Sequence, residues 1–184
     1  MSVQPQKPDH LEKMIEDQPV AVDPADPDRF QMRIARDGTW YHQGSPIRRL
    51  ALVKLFSTVL RREADGGYWL VTPVERGRIE VEDAPFTAVE MSLEGKGKDQ
   101  VLCFRTNLDE IVRVDSHHPL RIAENAETGE PSPYIMVRNN LEALITRPIF
   151  YDLVDLAEEH WDGDETELGI WSGGVLFALG ATVE

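Results

Sequence analysis

The feature that most restricts this chain is a loose repetition of its own sequence. Ser45-Pro46-Ile47-Arg48, Tyr68-Trp69-Leu70-Val71 and Pro85-Phe86 have counterparts, in the same order, in His118-Pro119-Leu120-Arg121, Tyr134-Ile135-Met136-Val137 and Pro148-Ile149-Phe150. Self-similar segments in a fixed order are the mark of a duplicated structural unit. The distance between matched segments shortens along the chain because the second copy lacks one insert, Leu50 to Arg62. Two related units would pack through similar apolar faces, and ligand pockets favour the seam such packing leaves.

Periodicity fills in each unit. Arg78-Ile79-Glu80-Val81-Glu82 and Thr87 to Leu93 alternate with period two, as half-buried strands do. Tyr68 to Thr72, Val101 to Thr106, Ile111 to Val114 and Tyr134 to Arg138 are further strand candidates. Met32, Ile34 and Trp40 flank Asp37-Gly38, which suggests a hairpin on a type I′ turn, with Gln43-Gly44 as a second turn signal. The insert changes period. Leu52, Val53, Phe56, Val59 and Leu60 recur at helical spacing opposite Lys54, Thr58 and Arg61, so an amphipathic helix is expected from Leu50 to Arg62. Ala64-Asp65-Gly66-Gly67 should stop it, since glycine supplies a left-handed cap. A second helix is expected over Ile149 to His160.

The expected fold is therefore α+β, with two strand-rich units related by internal duplication, one inserted amphipathic helix and one helix towards the C-terminus. Residues 1–29 form a proline-rich acidic arm with a short helix from His10 to Asp17. Residues 30–93 form the first unit and 94–184 the second.

Composition narrows function mainly by exclusion. No window approaches the ~20 apolar residues that cross a bilayer, and the N-terminus lacks the apolar core of a secretory signal. The one cysteine, Cys103, rules out an intrachain disulfide and a cysteine-based zinc knuckle. A cytoplasmic setting is the default expectation. Nineteen basic residues against thirty-three acidic ones leave a formal charge of −14, which argues against a nucleic-acid polymer as partner. Locally, Arg48, Arg49, Lys54, Arg61 and Arg62 make one basic stretch, suited to a small phosphate-bearing ligand.

No catalytic motif emerges. No serine stands in a Gly-x-Ser-x-Gly elbow, and Cys103 lies between Leu102 and Phe104 as an inert strand thiol. His42, His117 and His118 lack zinc-hydrolase spacing. On a strand, only one of His117 and His118 would share a face with Asp115. Glu94-Gly95-Lys96-Gly97-Lys98 lacks Walker spacing and suggests a hairpin turn, while Trp171-Ser172-Gly173-Gly174 offers either an anion-binding nest or a simple turn. Glu80 and Glu82 share a strand face that either holds a cation or is solvated. Arg48 presents a planar fork for phosphate or carboxylate, or else pairs with Glu75 or Asp83.

Three stretches together carry a family resemblance: Ala35-Arg36-Asp37-Gly38-Thr39-Trp40-Tyr41-His42-Gln43-Gly44-Ser45-Pro46-Ile47-Arg48, then Tyr68-Trp69-Leu70-Val71-Thr72-Pro73-Val74-Glu75, then Glu82-Asp83-Ala84-Pro85-Phe86. Their order and spacing resemble the domain of unknown function 1285 family of bacterial proteins, from Phe30 to the Ile149–His160 helix. The resemblance implies a two-unit fold by duplication, with a second unit superficially similar to pleckstrin-homology-like domains. It also implies a nucleotide-like ligand between the units and a signalling role.

The combined expectation is a non-catalytic ligand-binding or sensor protein, with no catalytic, metal or cofactor residue assigned and a small anionic ligand at the seam. Arg48 and Arg105 would meet the ligand's charge, and Trp40 or Tyr68 would stack on its ring. Thr72 and Asp83 would add polar contacts, and His42 and Glu75 complete the candidate set. Two other classes stand beside it. One is a protein–protein interaction module using the acidic surface or the pleckstrin-like unit. The other, with least support, is a metal-assisted hydrolase built on His42 and nearby carboxylates.

Overall fold

The computed structural model describes residues 30–125, 128–162 and 165–181, so the N-terminal arm and its expected His10–Asp17 helix lie outside the described residues. The first sheet contains β1 (Met32–Ile34), β2 (Trp40–His42), β3 (Ser45–Pro46), β4 (Leu60–Arg62), β5 (Tyr68–Val71) and β6 (Arg76–Val81). The second contains β7 (Phe86–Glu94), β8 (Val101–Thr106), β9 (Ile111–Arg113), β10 (Leu120–Glu124), β11 (Pro131–Arg138) and β12 (Leu141–Ile145).

The duplication is plain in the strand order. The first sheet runs β3-β2-β1-β6-β5-β4, and the second, taken from its far edge, runs β9-β8-β7-β12-β11-β10. Each is two three-stranded meanders joined by one central parallel pair, β1 with β6 and β12 with β7. The repeated Tyr-x-apolar-Val segments fall on equivalent strands, β5 and β11. The repeated Pro-apolar-Arg segments do not. Pro119-Leu120-Arg121 leads into β10, whose equivalent is β4, so Leu120-Arg121 matches the Leu60–Arg62 strand and not Ile47-Arg48.

Helix α1 (Leu50–Val59) buries Val53 and Phe56, and Phe56 stacks on Trp40 with ring centroids 6.2 Å apart. The helix ends earlier than its period suggests. Leu60, Arg61 and Arg62 are extended and pair with Leu70, Trp69 and Tyr68. Leu60 is fully buried as the first residue of this strand, where pairing with β5 takes over from the helical period. Gly66 (φ +83°) therefore turns the β4–β5 hairpin and does not cap a helix.

The turns are also redistributed. Between β1 and β2 only Gly38 has positive φ, which excludes the type I′ turn expected at Asp37-Gly38. Both central residues are left-handed at Gln43-Gly44, Asn139-Asn140 and Gly173-Gly174, each a two-residue hairpin connection. Gly38 is required twice over. Its φ is +84°, and a Cβ there would lie 2.6 Å from the Asn107 amide nitrogen, which donates to the Gly38 carbonyl from the second unit.

Helix α2 (Arg147–Asp155) starts with Pro148 in its first turn, where the missing N–H costs nothing, and buries Leu153. The expected extension to His160 is instead strand β13 (Glu158–Asp162), which begins a third sheet with β14 (Glu165–Ser172) and β15 (Val175–Ala181). That sheet is stitched to the second. The Ser172 hydroxyl accepts from Leu102 N–H (2.9 Å) and donates to the Val114 carbonyl (2.7 Å), while Gln100 Nε2 donates to the Trp171 carbonyl (2.8 Å).

One apolar core links all three sheets. It runs from Ile34, Trp40 and Leu60 through Phe86, Phe104 and Ile135 to Ile170 and Phe177. No helix among the described residues is long and apolar enough to cross a membrane.

Candidate functional site

The two units meet through the half-buried face of the second sheet. Strand alternation buries Ile135 and Val137 of β11 and leaves Tyr134, Met136 and Arg138 on the other face. Arg121 lies opposite Tyr134, and Glu142 opposite Met136, so Arg121, Tyr134 and Glu142 share that face. In the first sheet Arg62 lies opposite Tyr68 in the equivalent arrangement. Each arginine covers its tyrosine ring, at 5.4 Å for Arg62 and 4.5 Å for Arg121. The duplication has thus carried an arginine–tyrosine pair into both units.

The two pairs converge on one carboxylate. Glu142 accepts from Arg121 Nε (3.0 Å) and Nη2 (2.9 Å), and its other neighbour is Arg62 Nη1 at 3.8 Å. By strand register the first-unit counterpart of Glu142 is Gly77, so the first unit supplies no acid of its own there. Beside them the Tyr134 hydroxyl donates to Asp83 Oδ1 (2.7 Å), and Arg36 Nε lies 3.2 Å from Asp83 Oδ2. The layering is consistent. The Glu142 and Asp83 side chains are 13% and 16% exposed, against 36%, 49% and 64% for Arg62, Arg121 and Arg36. Carboxylates lie beneath and guanidiniums face out.

Proton affinities follow from this packing. Burial, then the hydrogen bond to the Asp83 carboxylate, pushes the Tyr134 phenol up to about 12. Burial likewise raises Tyr68, against the pull of Arg62. Because the folded state holds the Tyr134 proton more tightly than the unfolded chain, this stabilisation is present below the unfolded value of ~10. It is lost as pH rises through about 12. Asp83→Asn is expected to bring the Tyr134 titration to lower pH. Ultraviolet phenolate titration, with Tyr134→Phe identifying the signal, checks this, and an unchanged curve would show that Asp83 does not hold the proton.

The other candidates from the sequence are placed elsewhere. Trp40 is 1% exposed and packed in the core, so it offers no face to a ligand ring. His42 is half-buried at the end of β2, and Arg48 is exposed just before α1. Thr72 and Glu75 close the β5–β6 turn, the Thr72 hydroxyl donating to the Glu75 carbonyl (3.1 Å) and accepting from the Glu75 amide (3.0 Å). Arg105 is held by Glu90 (2.5 Å) and Asp109 (2.8 Å), which raise its pKa, and Asp109 also pairs with Lys54 of α1 (2.6 Å). Only Tyr68 and Asp83 of the candidate set reach the seam cluster.

Other motifs also resolve. Glu82 pairs with Arg33 and accepts the Arg36 amide. Asp115 caps a turn, taking the His117 and His118 amides (2.8 and 2.9 Å) and lying 3.1 Å from the His118 ring. Among the described residues no group of three His, Cys, Asp or Glu side chains is placed to hold a metal ion. Sequence reasoning missed Arg36, Arg62, Arg121, Tyr134 and Glu142 as site residues. The signal was present in the repeat, since Tyr134 matches Tyr68, but Arg121 was matched to Arg48 when its equivalent strand carries Arg62.

Comparison with known proteins agrees with this architecture. A family model described as the N-terminal domain of DUF1285, a domain of unknown function, matches residues 19–84, and its C-terminal counterpart matches residues 85–179. A DUF1285 family protein from Silicibacter pomeroyi DSS-3 has a crystal structure similar to this one, with a TM-score of 0.76 and 42% identity over 93% of this chain and 94% of that one. A second, from Shewanella baltica OS155, gives a TM-score of 0.52 and 25% identity over 67% and 90%. No curated protein matches the sequence.

Proposed function

Because the chain belongs to the DUF1285 family, a family of unknown function, we propose its role from the seam itself: a non-catalytic sensor that binds a small anionic, nucleotide-like molecule between its two units. The observation that carries this reading is the convergence of two equivalent arginine–tyrosine pairs, one from each unit, at Glu142. Guanidiniums from two units, turned outwards, present the planar donor fork that phosphate and carboxylate oxygens accept. A ligand bridging them would bias the relation between the units, which is how a signalling role would arise.

The test is a thermal-shift screen of the purified protein against nucleotides, cyclic dinucleotides and sugar phosphates. A ligand present at about 100 times its Kd stabilises the folded state by ~2.7 kcal/mol. A shift confined to nucleotides, and abolished by Arg121→Ala, is the expected outcome. A shift that survives Arg121→Ala would remove the seam from consideration. A second reading, a protein-docking module, is favoured by Trp161, which is 78% exposed on the edge strand β13 of the third sheet. It predicts silence across the ligand panel.

A further inference from the structure

We infer that Glu142 is a built-in occupant of the anion site, a carboxylate that holds the two seam arginines in place of a ligand and competes with the ligand for them. This inference rests on the seam reading above and adds what governs it. The site has two guanidiniums contributed by duplication, but among the described residues Glu142 is the one carboxylate that pairs with both, because the position equivalent to Glu142 in the first unit is Gly77. That single carboxylate grips Arg121 through both of its oxygens and reaches Arg62 only as an ion pair at 3.8 Å, beyond hydrogen-bond range. The neighbouring acid, Asp83, is engaged by the Tyr134 hydroxyl and Arg36, so it does not take up the remaining charge of Arg62.

A carboxylate and a phosphate present the same chemistry to a guanidinium, an oxyanion accepting two parallel N–H bonds. Glu142 therefore meets the same donors a ligand oxyanion would use, and its negative charge repels that oxyanion at short range. A site already occupied by its own side chain binds with an affinity reduced by the fraction of time it is open. The ligand class that follows is a phosphate-bearing or carboxylate-bearing small molecule whose charge exceeds that of a single carboxylate.

The experiment compares the wild-type protein, Glu142→Gln and Glu142→Gln/Arg121→Ala, titrated with inorganic phosphate and followed by calorimetry and thermal shift at fixed ionic strength. Glu142→Gln keeps the side-chain volume and removes the charge. The expected result is phosphate binding about tenfold tighter in Glu142→Gln than in the wild type, and lost in the double variant. Equal binding by wild type and Glu142→Gln, with loss in the double variant, would overturn the competition and leave the seam site standing. Weaker binding by Glu142→Gln would make Glu142 a positioning residue for the arginines and also overturn it. No response in any of the three would overturn both readings. Should Glu142→Gln fold poorly, Glu142→Ala gives an independent arm. Its melting temperature is expected to rise on adding acetate while the wild type stays unmoved, and an absence of this rescue counts against the proposal.

Discussion

Replacing Phe86 by alanine is expected to lower the unfolding free energy by about 3–5 kcal/mol, the usual cost of removing a fully buried aromatic ring. Phe86 is 0% exposed, begins the first strand of the second sheet, pairs in register with Ala143 and lies under the Arg138 guanidinium at 5.3 Å. Arg138 also donates to the Ser57 carbonyl at the end of α1 (3.1 Å) and pairs with Glu110 (3.0 Å), so the ring supports a contact between units. A domain's whole stability is commonly 5–15 kcal/mol, so this loss is a large share of it. Because the core is continuous, the first-unit tryptophans Trp40 and Trp69 should report the same shifted transition as Trp161 and Trp171 of the third sheet. Urea unfolding followed by tryptophan fluorescence, in single-tryptophan variants, checks both points. A first-unit transition that stays in place while the others move would show that the units unfold separately.

The second large effect is expected at Ser172. Its hydroxyl is fully buried between the Leu102 amide and the Val114 carbonyl, taking the place of one of the two hydrogen bonds of the next β8–β9 rung, whose other bond, Val114 N–H to the Leu102 carbonyl, is made at 2.9 Å. Ser172→Ala would leave both backbone groups without a partner, and each unsatisfied buried group costs about 1–3 kcal/mol. A total near 3 kcal/mol is expected, with faster hydrogen exchange at the Leu102 amide. The neighbouring close approach explains why glycine follows. A Cβ on Gly173, at φ +57°, would lie 3.3 Å from the Val114 carbonyl oxygen. Unchanged stability in Ser172→Ala would mean that the rung closes directly or through water, and that the Gln100 hydrogen bonds and apolar contacts suffice to hold the third sheet.

How much of this was legible depends on the range of the interaction. Period two marked Arg78–Glu82 and Thr87–Leu93 as strands, and period 3.6 marked the body of α1, because alternation and helical spacing are properties of consecutive residues. The repeat announced two related units before any sheet was visible. Boundaries were less legible. Leu60–Arg62 and Glu158 to His160 fall within the expected helices, yet pair as strands with residues further along the chain. The type I′ turns landed at Gln43-Gly44 and Asn139-Asn140 and not at Asp37-Gly38, since strand register, set by distant pairing, chooses which dipeptide turns the chain.

The site shows the same division. Tyr68 and Asp83 stood out by their place in the repeat and the turn, whereas Trp40 was drawn into the core and Arg105 into ion pairs with Glu90 and Asp109. What the sequence determined alone was the number of units, most of their strands, the apolar stripe of α1 and the duplicated tyrosine, all written in local order. Only the tertiary structure decided that Arg62 and Arg121 share one carboxylate. Glu142 is about eighty residues from Arg62 in sequence, and the two come within 3.8 Å only because the two sheets pack against each other.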